Sequence, residues 1–446
     1  MEPEGEGEAP LSGETGQYTG RYIVVFADEI SGDAGAMTEA LGAVPGVASV
    51  ANSMDYEAGA VDADDALGAD ATVYAELGVA VVTTDPTRSG SGGLESVAAA
   101  DARILAVEPE RILHAIDEMG SPSPSLEYAR GFRDATIALY EGLSGGAGAG
   151  SQADAEAAAA ASFADTSQFT WGLLATNASA CARHGEGIRV AVLDTGFDLN
   201  HPDFAGRPVT SQSFITGQQV QDAHGHGTHC VGTSCGPASP QGTRRYGVAT
   251  SADVFVGKVL SNEGSGSDSG IMAGINWAVA NGCQVISMSL GADIRQASQA
   301  YERVGQRAMA AGCLIIAAAG NNARRSAGNN GFVGVPANSP SIMAVGAVDA
   351  RLRIADFSAR SKFLSRAGAV DIAGPGVAVY SSWPMPKRYH SISGTSMATP
   401  HVAGLAALWS QETGQRGSAL WATLVREARR IDVRTVDVGA GLAQAP

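Results

Sequence analysis

No stretch of this sequence stays apolar long enough to cross a bilayer as a helix, so an integral helical membrane protein is not expected. Basic residues are scarce: 29 Lys and Arg stand against 46 Asp and Glu, a net charge of -17 with pI about 4.8. That balance argues against nucleic-acid binding, which needs clustered cations to meet phosphates. Its plain consequence is solubility. The first twenty residues lack the basic start and apolar run of a secretory signal, so a cytoplasmic chain, non-classical export or a trimmed sequence is expected. Cysteine is sparse and odd in number, with Cys181, Cys230, Cys235, Cys283 and Cys313 in no metal-type spacing. Free, mostly buried thiols are expected, with one disulfide left open. No internal repeat is apparent.

The 446 residues divide by texture. Residues 1–20 form an acidic tail with Glu2, Glu4, Glu6, Glu8 and Glu14, and read as a solvated, disordered segment. Residues 21–115 alternate β and α patterns: strands at 22–26, 74–84 and 104–107, and short helices at 34–41 and 94–100. This predicts a small α+β domain. Residues 116–165 read as a linker, with helical spacing at 126–143 and a Gly/Ser/Ala-rich run behind it. Residues 166–446 read as an α/β domain. Continuous apolar runs at 188–193, 254–260, 285–290, 313–319 and 342–348 predict strands buried on both faces of a mainly parallel sheet. Helices are predicted between them, at 269–281 and 297–311.

Three short segments carry chemistry. Val192-Leu193-Asp194-Thr195-Gly196 places an acid at the carboxyl end of an apolar strand, where open α/β sheets gather functional groups. Asp222-Ala223-His224-Gly225-His226-Gly227-Thr228-His229 supplies imidazoles, and Ser393-Gly394-Thr395-Ser396-Met397-Ala398 supplies a hydroxyl. Zinc is disfavoured for the histidines. Glycines interrupt them, no Cys pair accompanies them, and no acid lies between them as in HExxH. A serine hydroxyl needs a base to become a nucleophile, histidine titrates near the working pH, and a buried carboxylate fixes the imidazole tautomer.

Together these segments resemble the signature motifs of the subtilisin-like serine proteases, in the order Asp, His, Ser, and their wording is closest to the proteinase K branch. The resemblance implies a three-layer domain and serine endopeptidase activity through an acyl-enzyme. Asp194, His226 and Ser396 would form the triad, with Asn321 in Ala317-Ala318-Ala319-Gly320-Asn321 as oxyanion donor beside the Ser396 N–H. His229 is then structural and His224 has no assigned role. Ser289, Leu290 and Gly291, with Ala318 and Gly320, match the walls of the primary specificity pocket. Gly264, Ser265 and Gly266 match the edge that pairs with an extended substrate. Small walls free of charge imply a broad hydrophobic or aromatic preference.

No cofactor is implied for the chemistry. Asp371, with carbonyls of Pro340 and Ile342, matches a calcium site of that branch; relatives lacking the ion keep such an Asp, and 236–246 departs from the strong subtilisin calcium loop, so calcium is left open. The 22–26 and 106–110 segments resemble the first and last strands of the subtilisin propeptide, a ferredoxin-like domain that aids folding and inhibits its own protease. Its partners would be protein or peptide substrates and its own N-terminal domain, and self-cleavage is expected in the connector. A catalytically silent subtilisin-fold binding protein is the alternative.

Overall fold

The computed structural model describes residues 18–44, 46–83, 91–116, 162–361 and 367–446. The acidic tail and the expected 126–143 helix lie outside them.

The N-terminal domain runs β1 (Tyr18–Phe26), α1 (Ala34–Leu41), β2 (Val50–Asn52), α2 (Ala63–Gly68), β3 (Ala71–Tyr74), β4 (Val79–Thr83), α3 (Ser91–Ala100) and β5 (Ile104–Ala115). Its sheet follows the order β5-β1-β4-β3-β2, antiparallel except for the β2–β3 pair. Setting aside the short β2, this is the ferredoxin-like order, with α1 and α3 as crossovers. The expected single strand at 74–84 is instead a hairpin. Ala75–Leu77 make a 3-10 turn closed by Gly78 in the left-handed conformation (φ +69°), which a run of apolar residues does not betray. The closing strand reaches Ala115, well beyond the expected 107.

The second domain comprises α4 (Trp171–Ala175), β6 (Arg189–Asp194), β7 (Val209–Ser213), α5 (His226–Cys235), β8 (Asp253–Lys258), β9 (Ser265–Ser267), α6 (Asp268–Ala280), β10 (Val285–Met288), β11 (Leu290–Gly291), α7 (Gln299–Ala310), β12 (Leu314–Ala318), β13 (Met343–Val348), β14 (Ile372–Pro375), β15 (Val379–Ser382), β16 (Tyr389–Ile392), α8 (Thr395–Thr413), α9 (Gly417–Arg426) and α10 (Thr435–Val438). Its central sheet is parallel throughout, ordered β14-β13-β12-β10-β6-β8-β7. β10, β12 and β13 are buried at every residue, as continuous apolar strands between two helical layers require. One layer contains α6 and α7, the other α5 and α8.

The two domains share a core. Side chains alternate across a strand, so Val24 and Phe26 of β1 pack under the N-terminal domain's own helices with Met37, Leu41 and Leu94. Ile23 and Val25 face the other way, into one cluster with Ile271, Ile275, Tyr301 and Val304 of α6 and α7. Polar contacts fix the register of this junction. On β5, Glu108 accepts hydrogen bonds from Ser298 Oγ and Gln299 N–H (both 2.6 Å) at the start of α7. Glu110 accepts from Ser269 N–H (2.9 Å) at the start of α6 and pairs with Arg21 (2.6 Å). Carboxylates suit these sites because helix N-termini carry unpaired N–H groups and partial positive charge. Asp268 accepts from Arg111 N–H and Tyr301 OH (both 2.8 Å), and burial pushes its carboxyl up to about 7.

Glu110 has a fully buried side chain. Glu110→Ala strands Arg21 and a helix end, so a loss of about 3–5 kcal/mol is expected in urea unfolding of the full chain. An unchanged midpoint and slope would show that the pair does not hold the domains together.

Candidate active site

Asp194 ends β6, His226 opens α5 and Ser396 is the second residue of α8. The fold brings all three to one place. His226 Nδ1–H donates to Asp194 Oδ1 (2.8 Å) between two fully buried side chains, which leaves Nε2 as the ring's basic nitrogen. Burial alone would push the imidazole down; the adjacent Asp194 carboxylate outweighs it, and His226 lies well above its ordinary value. Cys230 also touches this ring (Sγ to Nδ1, 3.9 Å), but burial pushes its thiol up and keeps it neutral.

The sequence reading missed the residues that hold His226 in place. Asp222 Oδ1 accepts from Thr195 Oγ1 (3.0 Å), His224 N–H (3.0 Å) and Gly225 N–H (2.9 Å). Its Oδ2 accepts from Thr228 N–H (2.9 Å) and Thr228 Oγ1 (2.7 Å). Thr195 Oγ1 in turn accepts Gly227 N–H (2.8 Å). The first turn of α5 is thus capped by a carboxylate and a hydroxyl from two loops. Only glycine fits at 227, since a Cβ would lie 2.2 Å from the Gly196 carbonyl. Buried Lys258 donates to the Thr195 carbonyl and to Asn262 Oδ1 (2.9 Å), placing a cation behind the two acids. The signal available was the Asp four residues before a helix-opening His; Lys258 gave none, at the end of an apolar strand.

Ser396 differs in one link from the expected relay. Its hydroxyl donates to the carbonyl of Ile116 and lies 3.1 Å from the Ser289 carbonyl, while His226 Nε2 has no hydrogen-bond partner among the described residues. The Ile116 carbonyl has captured the hydroxyl. Cys230 Sγ, which touches His226, also lies 3.6 Å from the Ser396 carbonyl oxygen, so the two residues remain neighbours. Asn321 Oδ1 accepts from Thr395 N–H (3.0 Å) and Thr395 Oγ1 (2.9 Å), which aims Nδ2 at the Ile116 oxygen (3.1 Å).

The end of β5 fills the groove leading to this point. It pairs antiparallel with β9 on one side, Leu113 opposite Gly266 and His114 opposite Ser265, and with β11 on the other, Ala115 opposite Leu290 and His114 opposite Gly291. Ala115 N–H donates to the Gly264 carbonyl (2.8 Å) and Ile116 N–H to the Ser289 carbonyl (3.2 Å). The Ile116 side chain lies against Gly291, where a Cβ would sit 2.8 Å from its Cδ1. Ala318 is buried in β12 and Gly320, at φ +118°, gives its N–H to Thr395 Oγ1 (3.2 Å).

The remaining histidines do not converge. His229 Nε2 meets the Val379 carbonyl (2.9 Å) and burial pushes it down to about 3, as suits a neutral structural ring. Ring centroids of His224 and His226 stand 6.2 Å apart, edge to face. Among the described residues, the cluster of three metal-competent side chains is Asp194, His226 and Cys230, not the three histidines. All five cysteines are free thiols, four of them buried. Asp371 precedes β14 and Pro340 and Ile342 precede β13, its parallel neighbour; Asp371 Oδ2 accepts Ala344 N–H (2.8 Å). Carboxylate and carbonyl oxygens are the donor type calcium takes.

A model of the Subtilase family matches residues 185–441, which contain Asp194, His226, Asn321 and Ser396. Subtilisin DY from Bacillus licheniformis is 40% identical over 235 residues, 52% of this chain and 80% of that protein. A cuticle-degrading protease from Metarhizium anisopliae is 39% identical over 262 residues (56% and 61%), and subtilisin E from Bacillus subtilis (strain 168) 41% over 226 (50% and 55%). The chain thus spans somewhat over half the length of the latter two. The parallel sheet, the buried Asp194–His226 pair and these matches agree, and the chain belongs to the subtilase family.

Proposed function

We propose that this chain is a serine endopeptidase made as its own inhibited precursor, which cuts itself after Ile116. The observation that carries the reading is the seat of the Ile116 carbonyl, between Ser396 Oγ and Asn321 Nδ2, at the end of a strand paired on both sides. That is how a substrate must be held for acyl transfer: an extended backbone fixed by strand addition, its carbonyl oxygen facing a donor.

In the reaction, Ser396 Oγ turns to His226 Nε2, gives up its proton and attacks the Ile116 carbonyl carbon. Negative charge gathers on the oxygen, where Asn321 Nδ2–H and, by family likeness, the Ser396 N–H receive it. The imidazolium, steadied by Asp194, then protonates the leaving amine. Water attacks the resulting ester by the same path in reverse. The freed Ile116 carboxylate stays in the groove, so the N-terminal domain acts as an intramolecular inhibitor. Ile116 against Gly291 and the fully buried Leu113 three residues earlier support a preference for apolar residues before the cut. Calcium held by Asp371 and the carbonyls of Pro340 and Ile342 would brace β13 and β14 and take no part in the chemistry.

Four outcomes test this. Wild-type chain is expected to yield a new N-terminus at Asp117, and Ser396→Ala to remain whole; Edman or mass-spectrometric detection of a different first residue would move the scissile bond. Asn321→Ala is expected to slow kcat by about 10²–10³, the magnitude known for subtilisin itself, with little change in KM; an equal rise in KM would make Asn321 a binding residue. Turnover needs the neutral imidazole, so kcat/KM should fall as pH drops through the His226 pKa. Because that pKa is raised, the acid limb should lie above the ~6.5 of an unperturbed histidine. A limb below that value contradicts the Asp194 pairing. Chelation should lower the thermal midpoint while leaving kcat unchanged on folded enzyme, and an unaltered midpoint removes the ion.

A further inference from the structure

Most arginines of this acidic chain have found a partner. Arg21 lies on Glu110, Arg103 on Asp101, Arg325 and Arg360 on Asp437, and Arg388 on Asp203. Arg351, Arg429 and Arg430 differ: their guanidinium groups make no hydrogen bond, ion pair or ring contact among the described residues, and all of them line one cavity of about 540 Å³. Arg353 completes its rim, with its guanidinium forked onto Asp349 (2.9 and 2.7 Å).

The floor of the cavity is apolar. Phe163, Leu352 and Ile431 pack beside Trp171, Val348 and Leu442 in a small cluster at the end of β13. The walls are built rather than loose. Phe163 N–H donates to the Ala350 carbonyl (2.8 Å), and Asp349 Oδ1 accepts the N–H groups of Arg351 and Arg353 (both 2.9 Å). Leu352 is held between them at φ +58°, a left-handed conformation that a branched side chain rarely adopts. One acid, Asp432, shares the lining.

Gathering like charges around a concavity is unfavourable, and a chain with 46 acidic residues has ample means to neutralise them. Guanidinium forks match carboxylates in pairs of parallel hydrogen bonds, and an apolar floor between them takes a bulky side chain. We propose that this cavity binds an acidic peptide segment carrying a bulky apolar residue, supplied by a second polypeptide. It lies apart from the groove filled by β5 and shares no residue with it. As a remote anchor for protein substrates it rests on the protease reading; as a binding site it does not.

The test is binding, measured without turnover. A fluorescein-labelled Glu-Glu-Leu-Glu-Glu peptide is titrated with the full chain carrying Ser396→Ala, and fluorescence anisotropy is read. Saturable binding is expected, weakened about tenfold or more by adding Arg429→Gln with Arg430→Gln, and weakened by raised salt. Both replaced side chains are exposed, and a matching circular dichroism spectrum and thermal midpoint confirm that the fold is kept. Absence of binding, equal affinity in the Arg variant, or equal affinity for the Gln-Gln-Leu-Gln-Gln peptide overturns the proposal. If replacing the central Leu by Ser leaves affinity unchanged and inorganic phosphate displaces the peptide, the cavity is a simple anion site and the peptide assignment falls.

Discussion

The site depends on one buried contact, the hydrogen bond from His226 Nδ1–H to Asp194 Oδ1. Both groups are out of water, and although Asp194 Oδ2 has no hydrogen-bond partner among the described residues, Oδ1 is well supplied. Thr195 N–H supplies a second donor to the same oxygen (2.7 Å), and the network from Asp222 through Thr195 to the start of α5 fixes the backbone from which His226 hangs. Lys258 offsets the accumulated negative charge from behind. Apart from the Thr195 N–H, these contacts join residues distant in sequence, which is why a parallel sheet, with its strand ends gathered on one side, suits them as a scaffold.

A second dependency follows from the sheet of the N-terminal domain. Its two faces are both apolar, and among the described residues one of them packs against α6 and α7. Docking therefore buries surface that the domain cannot bury by itself, and the Glu108 and Glu110 contacts set the register in which it docks. β5 then continues without interruption from those helix ends into the groove. The position of Ile116 at Ser396 is thus fixed by contacts made several residues earlier along the same strand, which is what allows a single geometry to combine folding, inhibition and presentation of one peptide bond.

Much of the second domain was legible because its chemistry is written in contiguous apolar runs and short motifs. The runs at 285–290 and 313–319 became β10, β11 and β12, and the four residues named from the motifs lie around one point, Asp194 on His226 and Asn321 and Ser396 on the Ile116 carbonyl. What stayed hidden depends on partners remote in sequence. The hairpin at 75–77 turns on one left-handed glycine, and the extension of β5 to Ala115 is paired through β9 and β11, roughly 150 and 175 residues further on. Glu108, Glu110 and Asp222 look like ordinary surface acids until the helix ends they cap are known. The Ser396 hydroxyl facing Ile116 rather than His226 reflects an occupied groove; the propeptide-like strands implied inhibition, but no motif marks Ile116 as the residue seated there.

Activation of Ser396 is tested most directly by treating the self-processed chain, separated from residues 1–116, with a fluorophosphonate and locating the adduct by mass spectrometry. A single adduct on Ser396 is the predicted result. An unmodified Ser396 in folded protein would contradict the claim that this hydroxyl is activated by the imidazole beside it.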